Sequence, residues 1–153
     1  MTYRVRKAEE NQADFEKLVK LLLVFASEHE LSSLSGKNPN LNKGFQWIVF
    51  NLKEAVWVAE DENGEVIGSI GLHPTTTWYS DTPYLTDGWF YVLKEHRSSK
   101  IGTELLDVAK AFAKEKGMPL VVGLFNMDKI EVKVEMMKRK GFTQIGGLFL
   151  SEG

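Results

Sequence analysis

The chain has 153 residues, of which 43% are apolar, and it contains no cysteine. This length is typical of one domain, the apolar content is too high for a disordered chain, and the lack of cysteine excludes disulfides and thiolate chemistry. The 19 basic and 21 acidic residues leave a net charge of -2, so the chain has no excess of positive charge to attract nucleic acid.

The apolar residues are not arranged to cross a membrane. The longest unbroken apolar run covers residues 21–26, whereas a spanning helix needs roughly 20 residues. The first charged residues, Arg4 to Glu10, follow one another without the apolar stretch of a secretion signal. We therefore expect a soluble cytoplasmic protein, with neither a membrane nor nucleic acid as a partner.

The first half of the chain contains both helical and extended patterns. Residues 3–6 alternate polar and apolar side chains as a short strand does, and Asn11 then occupies a helix N-cap position. Apolar residues at helical spacing predict helices around residues 15–26 and 45–52. Asn63 and Gly64 separate two strand-like runs and predict a tight hairpin. The runs cover residues 56–60 and 65–73.

The second half continues with a third strand-like run over residues 85–93. The helix that follows ends at Gly117, a typical C-terminal cap residue. Residues 120–125 predict a strand, and Asp128 with Glu131 resembles a capping box at the start of a last helix. That helix ends in basic residues before Gly141, and short strands are predicted at residues 142–145 and 148–150.

This order predicts a single α+β (mixed α/β) domain over residues 1–153, without linkers or internal repeats. The runs at residues 56–60, 65–73 and 85–93 are consecutive, which favours antiparallel pairing. We expect a central, mostly antiparallel sheet of six to seven strands flanked by about four helices.

The most informative segment joins the strand at residues 85–93 to the helix that follows. A helix N-terminus exposes unpaired N–H groups and a partial positive charge, so a suitable loop there forms an anion site. Alternatively, Ser98 or Ser99 only caps the helix, and Gly102 only allows close helix packing.

This segment resembles the acyl-CoA-binding motif of the GNAT N-acyltransferase superfamily. In that motif a valine ends the fourth strand, a proline follows two residues later, and [RQ]-x-x-G-x-[GA] opens a helix with paired leucines. The matching residues are Val92, Arg97, Gly102, Leu105 and Leu106. Two positions depart from the motif, because Lys94 replaces the proline and Lys100 replaces the first glycine.

The resemblance extends over nearly the whole chain, because the predicted order of elements is similar to that of the family. Asn126 and the pair Gly141-Phe142 resemble the family's N…GF signature, although the 15 residues from Asn126 to Gly141 are a longer spacing than is usual. Met137 occupies the position at which many members carry a tyrosine that protonates the departing thiolate.

The resemblance implies a sheet that splays open to admit the pantetheine arm, and acetyl-CoA as the acyl donor. It implies that an acetyl group passes to a primary amine by direct attack, with a small-molecule or peptide amine as acceptor. A homodimer is left open. The implied binding residues for acyl carbonyl, pantetheine and pyrophosphate are Tyr91, Val92, Leu93, Arg97, Ser98, Ser99, Lys100, Ile101, Gly102, Thr103 and Asn126.

The substitutions Lys100 and Met137 keep a second possibility open, a GNAT-fold domain that binds CoA or serves only as structure, without turnover. The acceptor is open too. Small polyamine-like molecules, aminoglycosides and protein N-termini or lysines all remain candidates, because the variable loop Ser27 to Lys43 would shape that site.

Asp87 is the only carboxylate in the strand at residues 85–93 and is the candidate general base. Family bases lie at even spacing from the position of Val92, so Asp87 faces the correct side only if a bulge intervenes. The alternative is a carboxylate that faces solvent. No two of the three histidines have a metal-ligand spacing, so no metal is expected. His73 either faces the acceptor groove or caps a loop.

Overall fold

The computed structural model describes residues 2–32 and 36–152. It contains two compact units, Met1–Gly123 and Leu124–Gly153. The first unit holds β1 (Tyr3–Lys7), α1 (Gln12–Glu28), α2 (Leu41–Glu54), β2 (Ala55–Asp61), β3 (Val66–Thr75), β4 (Tyr84–Val92), a 3₁₀ turn (Lys94–His96), α3 (Ile101–Lys116) and β5 (Leu120–Val121). The second unit holds α4 (Ile130–Arg139).

The five strands of the first unit form one sheet in the order β1-β2-β3-β4-β5. Neighbouring strands are antiparallel except for β4 and β5, which run parallel and pair at only two positions, Leu85 with Leu120 and Thr86 with Val121. The α+β class and the mostly antiparallel sheet are therefore confirmed. The described part of the chain contains five strands rather than six to seven.

The missing strands are those predicted near the C-terminus. Residues 142–145 and 148–150 have no strand structure. Gly146 and Gly147 lie between them, and glycine has no preference for the extended conformation of a strand. Ile145, Leu148 and Phe149 are 79% or more exposed, so no burial stabilises a strand. The strand predicted over residues 120–125 stops at Val121, because the N–H of Gly123 bonds to the Asp87 side chain at 2.9 Å.

Local sequence signals place most of the other element ends. Asn11 caps α1 by accepting a hydrogen bond from the N–H of Asp14. Gly117 ends α3 with φ of +68° and Gly64 lies in the β2–β3 turn with φ of +79°, conformations that side chains with a Cβ avoid.

The start of α4 differs from the prediction. The Asn126 side chain accepts a hydrogen bond from the N–H of Asp128 at 2.7 Å. This bond forms a turn before the helix, so Asp128 does not occupy the N-cap position that a capping box requires. The helix then begins at Ile130, after Lys129 with φ of +52° and no side-chain cap. The capping box predicted at Asp128 and Glu131 is therefore wrong.

Helices cover both faces of the sheet in the first unit. Leu18 of α1 and Ile48 of α2 pack in one cluster with Val56, Trp89 and Tyr91 of the sheet. On the other face, Ile101 of α3 lies close to Gly68, where an added Cβ would be 3.0 Å from the Ile101 Cγ2. No described helix is long and apolar enough to span a bilayer.

Candidate active site

A β-bulge in β4 decides the direction of Asp87. Gly71 pairs with Trp89 and Leu72 pairs with Asp87, so Gly88 is an extra residue on β4. A Cβ on Gly88 would overlap the Asn51 Oδ1 of α2, and Trp89 packs in the core beneath α1 and α2. Residues 88 and 89 therefore face the same side, which reverses the alternation of the strand. The bulge required by the sequence analysis is present.

With the alternation reversed, Asp87 faces the same side of the sheet as Phe90 and Val92. Phe90 marks that side as the α3 side, because its Cζ is 3.9 Å from the Cβ position of Gly102. The Asp87 Oδ1 accepts the N–H of Gly123 at 2.9 Å, just after β5 ends. Burial raises the pKa of Asp87 to about 6, against the opposing effect of the Gly123 hydrogen bond. A carboxyl with such a pKa can exchange a proton near neutral pH.

Among the described residues, no strand pairs with the outer edge of β4 beyond the point at which β5 departs. The N–H of Leu93 donates to the carbonyl of Ile67 at 2.9 Å, so alternate residues Tyr91 and Trp89 also direct their backbone groups to β3. Phe90 and Val92 direct theirs to the other edge. Tyr91, Val92 and Leu93 are the binding residues that the sequence analysis predicted here. Of these three, Val92 directs its N–H to the open edge. Phe90 does so too, and sequence reasoning missed it.

The loop before α3 leaves several N–H groups without acceptors. Within the described residues, the N–H groups of Ser98, Lys100, Gly102 and Thr103 bond to no protein acceptor. Ile101 differs, because its N–H lies 3.3 Å from the Ser99 Oγ. The first turn of α3 therefore presents unpaired N–H donors at the positive end of the helix, as an anion site requires.

Lys100 replaces the motif glycine without backbone strain. Its φ of -85° and ψ of 5° lie at negative φ, which a residue with a Cβ can adopt, and its side chain makes no capping bond. The residue is exposed. The loop therefore does not need a glycine here, and the Lys100 ammonium is available to an anion bound at the start of α3.

Arg97 has a structural role in addition to its place in the motif. Its Nε donates to the carbonyl of Val92 at 2.9 Å, and its Nη2 lies 2.7 Å from the Glu28 Oε2. The Tyr91 hydroxyl donates to the same Glu28 oxygen at 2.7 Å. Burial raises the pKa of Tyr91, and its hydrogen bond to Glu28 adds to that effect. Arg97 and Glu28 thus fasten the end of α1 to the loop that precedes α3.

His96 contributes an unsatisfied polar atom to the same loop. Its Nδ1 is buried and has no hydrogen-bond partner in the described structure, and such groups are rare in proteins unless a ligand or water satisfies them. The open N–H groups and the Lys100 ammonium fit a phosphorylated ligand.

Asn126 belongs to the second unit. Its Oδ1 accepts the N–H of Asp128 at 2.7 Å, and its carbonyl accepts from the Lys133 Nζ at 3.2 Å. Met137, at the family's tyrosine position, is buried, and a thioether has no proton to donate. Contact of Asn126 with pantetheine stays a prediction.

Sequence reasoning also missed Glu28 and Asn51. Asn51 is a polar residue on the apolar stripe of α2, three residues after Ile48, and this position was a readable signal. Glu28 carried no signal, because its partners Tyr91 and Arg97 are distant in sequence. Within residues 2–32 and 36–152, no group of three or more His, Cys, Asp or Glu side chains could hold a metal ion.

Comparison with known proteins gives the family. A family model described as an acetyltransferase (GNAT) domain matches residues 53–144. Sequence comparison finds no significant match among curated proteins.

Several solved structures are similar in fold. One is the aminoglycoside antibiotic 6'-N-acetyltransferase AAC(6')-Ih of Acinetobacter baumannii, with 12% identity, a TM-score of 0.67 and coverage of 99% of this chain and 98% of that one. Another is the ribosomal-protein-alanine N-acetyltransferase of Brucella melitensis biovar Abortus 2308, with 15% identity, a TM-score of 0.64 and coverage of 99% of both chains.

A third is AAC(6')-Iy in complex with a bisubstrate analog of CoA and acetylneamine, with 14% identity, a TM-score of 0.68 and coverage of 100% and 99%. At such identities these similarities show the fold, whereas the family model spans more than half of the chain. Together with the motif around Val92 and Gly102, it shows that this chain belongs to the GNAT acetyltransferase family.

Proposed function

We propose that the protein transfers an acetyl group from acetyl-CoA to a primary amine, with residues 1–153 acting as one acyltransferase domain. The observation that carries the proposal is the parting of β4 from β5 directly beside Asp87. The parting leaves the Phe90 backbone groups and the Val92 N–H open at the edge of β4, whereas the Val92 carbonyl accepts from Arg97. The unpaired N–H groups at the start of α3 follow shortly after β4 in the chain.

The backbone groups bind the donor in this proposal. The pyrophosphate lies against the N–H groups of Lys100, Gly102 and Thr103, with the Lys100 ammonium beside it. Pantetheine adds to the open edge of β4 as an extra strand would. The N–H of Phe90 or Val92 then donates to the thioester carbonyl, where it stabilises negative charge that develops on the oxygen.

The chemistry is direct attack of the amine on the thioester. Asp87 receives a proton from the acceptor ammonium, and the free amine forms the new C–N bond. The C–S bond then breaks, and the CoA thiolate leaves with the electron pair. The attacking nitrogen gives up its second proton, and water carries that proton to the thiolate, so the products are the amide and the CoA thiol. Positioning of the two substrates supplies a further share of the rate.

Acetyl-CoA is expected to raise the melting temperature of the protein. A ligand that binds only the folded state stabilises it by about 2.7 kcal/mol at a hundredfold excess over Kd, which corresponds to roughly 5 to 10 °C in Tm for a chain of this size. Differential scanning fluorimetry with acetyl-CoA, CoA and adenine as a control measures the shift. A folded sample that shows no shift in millimolar acetyl-CoA contradicts the proposal.

Replacing Lys100 by glycine is expected to weaken CoA binding about two- to fivefold and to flatten its dependence on salt, because a partly screened cation is lost. Lys100→Gln separates charge from shape, since it removes the ammonium but keeps the Cβ. Lys114→Gln, at the opposite end of α3, is the charge-matched control. Tighter binding by Lys100→Gly at every ionic strength would show that the lysine obstructs the pyrophosphate instead.

A further inference from the structure

The last side chain of α1 reaches the segment that precedes α3. The Glu28 Oε2 accepts hydrogen bonds from the Tyr91 hydroxyl and from the Arg97 Nη2, each at 2.7 Å. The Glu28 and Arg97 side chains are 29% and 19% exposed, so water screens this ion pair less than it screens a pair at the open surface. Burial raises the pKa of Glu28, but the hydrogen bonds from Tyr91 and Arg97 outweigh burial and leave the pKa below its usual value. Glu28 is therefore a carboxylate at neutral pH.

Arg97 uses its guanidinium in two directions. Its Nε donates to the Val92 carbonyl at 2.9 Å while its Nη2 binds Glu28. The guanidinium also lies over the ring of Tyr91, 5.4 Å from the ring centroid, which adds a cation–π contact. A guanidinium is planar and directs its N–H groups rigidly. The positions of Glu28 and Tyr91 therefore determine where the Arg97 Nε points.

Arg97 also connects the segment that presents the open N–H donors to the rest of the fold. This segment, residues 94–100, is here called the donor loop. Within residues 2–32 and 36–152, the hydrogen bonds of the other donor-loop residues stay inside residues 93–104. Arg97, in contrast, bonds to β4 through Val92 and to α1 through Glu28. An ordered Arg97 therefore fixes the donor loop relative to the sheet.

We propose that Glu28 is a positioning residue for the acyl donor. It holds Arg97 against the Val92 carbonyl, and Arg97 in turn holds the donor loop in the conformation that receives the pyrophosphate of acetyl-CoA. This inference rests on the proposed function. Glu28 itself does not touch the donor. It acts because a loop that is already ordered loses little conformational entropy when the ligand binds.

The sign of the effect distinguishes positioning from simple charge. Removing a carboxylate makes its surroundings more positive, which by charge alone strengthens the binding of an anion such as acetyl-CoA. Removing a partner of Arg97 leaves the donor loop to be ordered on binding, which weakens the binding. Positioning by Glu28 therefore predicts weaker donor binding in Glu28→Gln, although this variant carries less negative charge.

The test measures the Kd for acetyl-CoA by calorimetry, in the absence of an amine. Glu28→Gln keeps the size of the side chain and removes its charge, and Glu28→Asp keeps the charge on a shorter side chain. Arg97→Gln removes the guanidinium, and the double variant Glu28→Gln with Arg97→Gln completes a double-mutant cycle. Lys17→Met is the control, because Lys17 also fastens α1 to the sheet, through a 3.0 Å ion pair with Glu60 whose side chains are 34% and 10% exposed. Circular dichroism checks that each variant is folded.

Glu28→Gln is expected to raise the Kd for acetyl-CoA about three- to tenfold, and Glu28→Asp should show part of this loss. The double variant should bind no more weakly than Arg97→Gln alone, because Glu28 acts through Arg97. Lys17→Met should unfold at a lower urea concentration and leave the Kd unchanged. Unchanged or tighter binding by Glu28→Gln, additive losses in the double variant, or an equal loss in Lys17→Met overturns this inference alone. Failure of the wild type to bind acetyl-CoA overturns the proposed function as well.

Discussion

Replacing Asp87 by asparagine is expected to lower kcat for amine acetylation by about 100-fold or more while the protein stays folded. Asparagine has the same shape, and its amide oxygen can still accept the N–H of Gly123. The parting of β4 from β5 is therefore kept, and only the proton acceptor is lost. Steady-state thiol release at saturating acetyl-CoA measures the effect, with circular dichroism as the check on folding.

The pH profile distinguishes a base from a structural carboxylate. Because burial raises the pKa of Asp87 to about 6, wild-type activity should fall as the pH drops through about 6 and the carboxylate takes up a proton. This acidic limb should be absent from Asp87→Asn. A variant with wild-type rate and an unchanged limb would remove Asp87 from the mechanism and leave proton loss through ordered water.

Replacing Arg6 by leucine is expected to destabilise the fold by about 3–5 kcal/mol, because it removes the cation that Asp14 and Glu60 share and leaves Glu60 only the more exposed Lys17 and Arg4. The Arg6 guanidinium binds Asp14 through two hydrogen bonds of 2.7 and 2.9 Å and Glu60 at 2.9 Å. The Asp14 and Glu60 side chains are 5% and 10% exposed. Urea denaturation at pH 7 measures the change in the free energy of unfolding.

Lys20→Leu is the control for this prediction. Its ion pair with Glu65 has a similar distance, 2.8 Å, but side chains that are 73% and 52% exposed, so its loss should cost about 1 kcal/mol or less. Equal effects of Arg6→Leu and Lys20→Leu would contradict the account of a buried ion cluster.

The same cluster predicts how stability depends on pH. Hydrogen bonds from Arg6 and, to a lesser degree, from Lys17 lower the pKa of Glu60 to about 2 from its usual 4.5, and burial opposes this effect. A carboxyl with a lowered pKa stabilises the folded state above its unfolded-state pKa, and this contribution is lost as the pH falls through the folded-state value. Wild-type stability should therefore decline from about pH 4.5 toward pH 2. In Arg6→Leu the decline should be shallower, because less stabilisation is present to be lost.

The sequence predicted those features of the fold that depend on a few neighbouring residues. The cap at Asn11, the end of α3 at Gly117 and the turn at Gly64 each follow from the conformation of one residue. The strands at residues 142–145 and 148–150 were predicted from composition alone, and composition does not show whether a neighbour will pair with the strand. Their exposed apolar residues are the physical reason for the error.

The site was predictable as a segment but not in its geometry. The motif from Val92 to Gly102 gave the loop and the helix N-terminus. The direction of Asp87 depended on a bulge at Gly88, and Asn51 of α2 occupies the space beside that glycine. Glycine in a strand permits such an approach but does not reveal which residue makes it. Likewise, the motif predicted that the backbone of Tyr91 and Leu93 binds the acyl donor. The motif does not show that these backbone groups are directed to β3 instead.

The central claim is that this chain moves an acetyl group from acetyl-CoA to an amine. The most direct measurement is mass spectrometry of an amine panel incubated with acetyl-CoA and purified protein, with thiol release followed in parallel and Asp87→Asn as the matched control. We expect an acetylated product from at least one primary amine, stoichiometric with released CoA and strongly reduced in the variant. Tight acetyl-CoA binding without any acetylated product would contradict the claim and would indicate a CoA-binding domain without turnover.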